Sequence, residues 1–169
     1  NGQGQRISKG NISYIYGSDG NLVSQSDGLS FMYDATGVVG IKYDNKYYAF
    51  RKDILGNVIG ILDENGINII QYRYDAWGVC KIEKDTSGEN LGELNPFRYR
   101  GYYYDTETKL YYLKTRYYDP EIGRFITIDD VTYLAPDTIN GLNLYAYCNN
   151  NPVMNVDPEG TSWWSKFWR

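Results

Sequence analysis

At 169 residues the chain is long enough for one domain with a real core and short for two. Its formal charge of −4 argues against non-specific binding to nucleic acid, which needs a basic surface. The sequence holds no His, which excludes Ser-His-Asp and Cys-His catalysis and any imidazole metal site, while 19 Tyr and 18 Gly lean the chain towards strands and turns.

The chain begins "NGQGQRISKG", without Met or an apolar targeting stretch, and starting in mid-pattern it reads as a piece of a longer polypeptide. No apolar run reaches transmembrane length. A degenerate unit then recurs: an aromatic-rich run, an Asp or small polar residue, a Gly, and an apolar run. It stands as "YIYGSDGNLV" (14–23), "FMYDATGVVG" (31–40), "FRKDILGNVI" (50–59), "YRYDAWGVC" (72–80), "YYYDTETKLYYL" (102–113) and "RYYDPEIGRF" (116–125). Alternating aromatic and polar positions suit a half-buried strand. The Asp can bond its own backbone, the Gly tolerates positive φ, and the next apolar run returns as the partner strand. Short strands at this spacing predict an all-β array of hairpins, in which a unit buries its face only by stacking on neighbours.

Between copies, "KDTSGENLGELNP" (84–96) reads as an exposed loop, and the basic residues Arg98, Arg100, Lys109, Lys114 and Arg116 read as a solvated strand face offset by Asp105 and Glu107. Repetition stops after residue 128. "NLYAYCNNNP" predicts one or two helical turns ended by the Asn run and Pro152, so the C-terminal end is a short mixed cap. Cys80 and Cys148 are too few for a disulfide scaffold or a zinc site and read as buried free thiols. In the tail "TSWWSKFWR", Trp163, Trp164, Phe167 and Trp168 fall on one face of a short helix. That pattern fits an interfacial anchor, the only means of membrane contact in the chain, and equally the start of a longer effector.

Three stretches in order, "YRGYYYDTETKLYYLKTRYYDPEIGRF", "GLNLYAYCNNNP" and "DPEG", carry a resemblance. The chain resembles the RHS/YD-repeat family, and residues 98–160 resemble its C-terminal RHS repeat-associated core domain, with 1–97 a YD-repeat hairpin strip and 161–169 a Trp-rich tail. The resemblance implies part of a spiral β-shell that encloses a C-terminal segment, commonly a toxin, in secreted or surface-bound bacterial proteins. The partners it implies are the chain's own effector segment, the rest of the shell, and an immunity or delivery protein; it implies no cofactor and no metal.

The resemblance also implies intramolecular, aspartyl-protease-like cleavage after "DPEG", carried by an Arg and two Asp. Placed on this sequence they are Arg116, Asp129 and Asp157, with the cut after Gly160, around Thr161 and Ser162. Asp130 stands where the family has Pro, and the longer connection 131–140 holds Asp137, so Asp130 and Asp137 are alternatives for the first acid. Two neighbouring carboxyls can supply a base for water and an acid for the leaving nitrogen, because like charges keep one proton on the pair. An adjacent Arg fixes their geometry or polarises the target carbonyl. Each residue has a plainer reading too: Asp before Pro forms turns, and Arg116 can stack on aromatic rings. A different class of function, a non-catalytic scaffold recognising glycan or a partner protein, also fits a Tyr-rich surface.

Overall fold

A Gly at positive φ and an Asp that caps its own turn recur along the chain, and together they fold it back on itself. The computed structural model describes residues 1–2, 5–129, 143–157, 160 and 164–165. Asp53 accepts the amides of Leu55 and Asn57 at 2.8 and 2.9 Å, with Gly56 at φ 85° completing the turn. Asp75 takes three amides, those of Trp77, Gly78 and Val79, all within 2.9 Å. Each of the six sequence units becomes a hairpin.

The chain forms two compact units. The first, Asn1–Arg73 with Cys80–Gly101, carries most of a nine-stranded antiparallel meander in which every strand pairs with its chain neighbour. Its strands are β1 (Ser8–Lys9), β2 (Ile12–Tyr16), β3 (Leu22–Gln25), β4 (Ser30–Asp34), β5 (Gly37–Tyr43), β6 (Lys46–Lys52), β7 (Val58–Leu62), β8 (Asn68–Tyr74) and β9 (Cys80–Asp85). Ile41, Val58, Ile61 and Ile70 are fully buried on one face, and Phe31 meets Phe97 edge-on with centroids 4.9 Å apart.

Residues 84–96 are an exposed loop only in part. Lys84, Thr86, Gly88, Asn90, Glu93 and Leu94 are exposed, but the stretch holds the short helix α1 (Leu91–Leu94), whose Leu91 is fully buried. Two polar side chains bond locally: Asp85 accepts the amides of Ser87 and Gly92 at 2.9 Å, and Ser87 Oγ accepts that of Leu91. Nor do all the neighbouring cations form a solvated face. Arg98 is buried and donates to the carbonyls of Asn95, Gly92 and Glu93 and to the Glu93 carboxylate, while Arg116 is buried in the second unit. Lys109 and Lys114 remain exposed.

The second unit comprises Tyr74–Val79 and Tyr102–Arg169. Its four-stranded sheet runs β10 (Tyr103–Asp105), β11 (Leu110–Leu113), β12 (Arg116–Asp119) and β13 (Arg124–Phe125), again in chain order. The buried rings of Tyr111, Tyr118, Phe125 and Tyr147 form its core, Tyr118 and Tyr147 lying 4.1 Å apart. The Tyr111 and Tyr118 hydroxyls donate to the carbonyls of Gly78 and Trp77, tying the 74–79 turn to this sheet. A 3-10 turn at Cys148–Asn150 stands where helical turns were expected. The strand β14 (Asn155–Val156) then pairs antiparallel with β15 (Trp164–Ser165). The tail is therefore strand at 164–165 rather than helix, because the chain doubles back beside β14 and the bulky aromatic residue suits an extended backbone. Trp163, Phe167 and Trp168 lie outside the described residues.

Candidate functional site

Two adjacent strands create the site's anchor. β11 and β12 pair Leu113 with Arg116 across a two-residue loop, Lys114–Thr115, and Lys114 takes a left-handed φ of 52° to close it. Arg116, at the first position of β12, is buried with its guanidinium carbon 3.6 Å from the centre of the Phe125 ring. The aromatic stacking read from the sequence is thus present, and it leaves the guanidinium edge free to bond.

That edge meets four oxygens. Nη2 lies 2.7 Å from Asp129 Oδ2 and 3.4 Å from Asp157 Oδ2, Nη1 donates to the Leu144 carbonyl at 3.0 Å, and Nε donates to the carbonyl of Gly160. Two carboxylates therefore converge on one nitrogen, and the carbonyl just before the expected cut is bonded to the same guanidinium. The Asp129 amide donates to the Leu144 carbonyl at 3.2 Å, which fixes the approach of the first acid.

Asp157 is almost wholly enclosed, with 2% of its surface exposed. Its Oδ1 accepts the Gly160 amide at 2.9 Å, as an Asp before Pro does when it forms a turn, and its own carbonyl accepts the Tyr102 hydroxyl at 3.0 Å. Tyr147 donates in turn to Tyr102 across 3.3 Å. The turn-forming reading and the carboxylate-pair reading are both satisfied by this one residue, one oxygen for each.

Gly160 sits at φ 76° in a cradle with no space for a side chain: an added Cβ would lie 2.7 Å from the Leu113 carbonyl oxygen and 3.0 Å from Thr115 Oγ1. The Thr115 hydroxyl donates to the Gly160 carbonyl at 3.1 Å. Arg116, Asp129, Asp157 and Gly160 are thus brought together. Asp130, Asp137, Thr161 and Ser162 lie outside the described residues. The exposed Thr115 and the buried Tyr102 and Tyr147 escaped the sequence reading, since nothing in a hairpin pattern reveals which hydroxyls bond here. Cys148 is a buried free thiol, and Cys80 is a free thiol only half-buried. Among the described residues no group of three or more His, Cys, Asp or Glu could hold a metal ion.

The family model for the Teneurin YD-shell matches residues 4–153. The chain belongs to this YD-shell family. The matched stretch includes Arg116 and Asp129 and stops short of Asp157 and Gly160. Among relatives of the YD-shell chain, the tRNA3(Ser)-specific nuclease WapA of Bacillus spizizenii is 39% identical over 96% of this chain and 7% of that protein. The double-stranded DNA deaminase toxin A of Burkholderia cenocepacia is 34% identical over 88% of this chain and 10% of its own length. The chain therefore spans a tenth or less of either relative. Among solved structures, TcdB2-TccC3-Cdc42 matches with a TM-score of 0.62 at 22% identity, covering 93% of this chain and 9% of that one. The Photorhabdus luminescens Tc holotoxin pore matches with a TM-score of 0.59 at 22% identity, over 92% and 9%. At these identities the structural matches speak for the shared YD-shell fold.

Proposed function

We propose that this chain is the closing part of a toxin-enclosing YD-shell and cuts its own backbone after Gly160, freeing the segment that follows. The observation that carries the proposal is the single guanidinium of Arg116, which touches Asp129, Asp157 and the Gly160 carbonyl together. On this reading Asp129, at the shorter distance from Arg116, takes a proton from water, and the enclosed Asp157 delivers a proton to the leaving nitrogen. Because the target bond belongs to the same chain, proximity does much of the work, and a site used once suffices.

The relatives support the carrier role. A tRNA nuclease and a DNA deaminase toxin, whose names give different activities, share with this chain nearly all of its length. A stretch common to both is better suited to housing effectors than to being one. On this reading the partners are the downstream effector segment and the remaining shell, and the setting is secreted or cell-surface, with immunity or delivery proteins as further partners.

Intact mass of the purified protein beside an Asp157→Asn form tests the proposal. Cleavage at Gly160 in the parent, slowed by at least about 10²-fold in the variant, is expected for loss of a general acid. A parent that keeps its full mass would show the arrangement to be a structural lock in a passive scaffold, the second function the same contacts allow.

A further inference from the structure

The geometry points to Thr115 as a second catalytic donor, forming with Arg116 a two-donor oxyanion site on the Gly160 carbonyl. This inference rests on the self-cleavage reading. In a regular strand, neighbouring side chains point to opposite faces, so residues 115 and 116 would not reach the same atom. The left-handed Lys114 breaks that alternation, and the Thr115 hydroxyl and Arg116 Nε both donate to the one oxygen. The residue that carries this oxygen is also anchored on its other side: the Gly160 amide is tied to Asp157 Oδ1.

Two donors aimed at a carbonyl are worth most when that oxygen becomes negative. Water's oxygen forms a bond to the Gly160 carbonyl carbon while its proton passes to Asp129. The carbonyl's π pair moves onto the oxygen between Thr115 and Arg116. The pair then returns, the bond from Gly160 to the next nitrogen breaks, and that nitrogen takes the proton of Asp157. The products are a carboxylic acid at Gly160 and a free amine on the following segment, with one water consumed. A hydroxyl donor complements the guanidinium here because it binds the oxyanion without competing for the carboxylates, whereas Arg116 is shared among four acceptors.

The test is a cleavage time course of the whole protein made by cell-free translation, for the parent, Thr115→Val, Thr115→Ser and Asp157→Asn. Thr115→Val keeps the shape and removes the donor; its cleavage should slow by about 10²-fold, with the profile of rate against pH unchanged in form, since both carboxyls remain. Thr115→Ser should stay within about fivefold of the parent, because it restores the hydroxyl on the same Cβ. Combining Thr115→Val with Asp157→Asn and measuring its thermal unfolding against Asp157→Asn alone checks that the fold survives; equal midpoints assign the slowing to the lost donor. Parental rates in Thr115→Val would overturn the role of Thr115 while leaving self-cleavage standing, as would slow cleavage matched by an unfolded double variant and a slow Thr115→Ser. A parent that never cleaves would overturn both.

Discussion

On the self-cleavage proposal, single residues decide whether the target bond is presented. At Gly160 the positive φ alone would cost a side chain about 1–2 kcal/mol, and the cradle of Leu113 and Thr115 adds a direct clash. Gly160→Ala should therefore push the carbonyl off its two donors while leaving the strands of the second unit in place. We expect cleavage to slow by at least about tenfold, the equivalent of 1.4 kcal/mol, with near-parental far-ultraviolet circular dichroism. Unaltered cleavage would mean that the carbonyl's position is not critical. Arg116, Asp129 and Asp157 were legible because the family motif marks them, although Asp129 and Asp130 could not be told apart by spacing. The structure puts Asp129 on Arg116, with the Asp129 amide N–H donating to the carbonyl of Leu144 from further along the chain. Such a contact leaves no trace in local sequence. Neither does the bond from the Thr115 hydroxyl to the Gly160 carbonyl, which depends on the backbone of Lys114.

At the scale of elements, the turns carry the register of the meander. Asp53 bonds the Leu55 and Asn57 amides and the Asn57 side chain, and Asn57 passes the constraint on by accepting the Arg100 amide at 2.9 Å. Asp53→Ala should lower the stability of the first unit by about 2 kcal/mol, since bonds to a charged acceptor are lost from a partly enclosed turn. A urea titration would show this as a lower midpoint at unchanged slope. Asp34→Ala, whose carboxylate accepts the Thr36 amide and hydroxyl at an exposed turn, should shift the midpoint less. If the two variants behaved alike, the Asn57 relay would contribute nothing. The hairpins were readable because the Asp and Gly that make them are local. Helix α1 was not: its Leu91 is fully buried, its Gly92 lies against Ile70, far away in sequence, and a polar run gives no sign that Asp85 and Ser87 will bond its first amides.

For the whole molecule, four groups make stability respond to pH at the extremes. Asp19 and Asp34 lie below the ordinary carboxylate range, held there by bonds from Asn21 and Thr36, so the stability they lend is present above about pH 4 and lost as pH falls further. Tyr33 and Tyr72 lie above the usual phenol range, chiefly through burial; their contribution is intact below about pH 10 and fades as pH rises through their higher values. Through these four groups, melting temperature should fall below about pH 4 and above about pH 10. A melting temperature unchanged on either side would contradict this. The overall plan was legible because a repeated local unit makes an all-β strip almost inevitable, and what was hidden lies in the unrepeated end. There is also a consequence in time. Every strand of the meander pairs with the one made just before it, so a chain emerging from the ribosome can add its wall one hairpin at a time. The residues around the guanidinium arrive in the order 116, 129, 157 and 160, all after the meander, so on the self-cleavage proposal the site is completed only when its own target arrives, once the meander has been made.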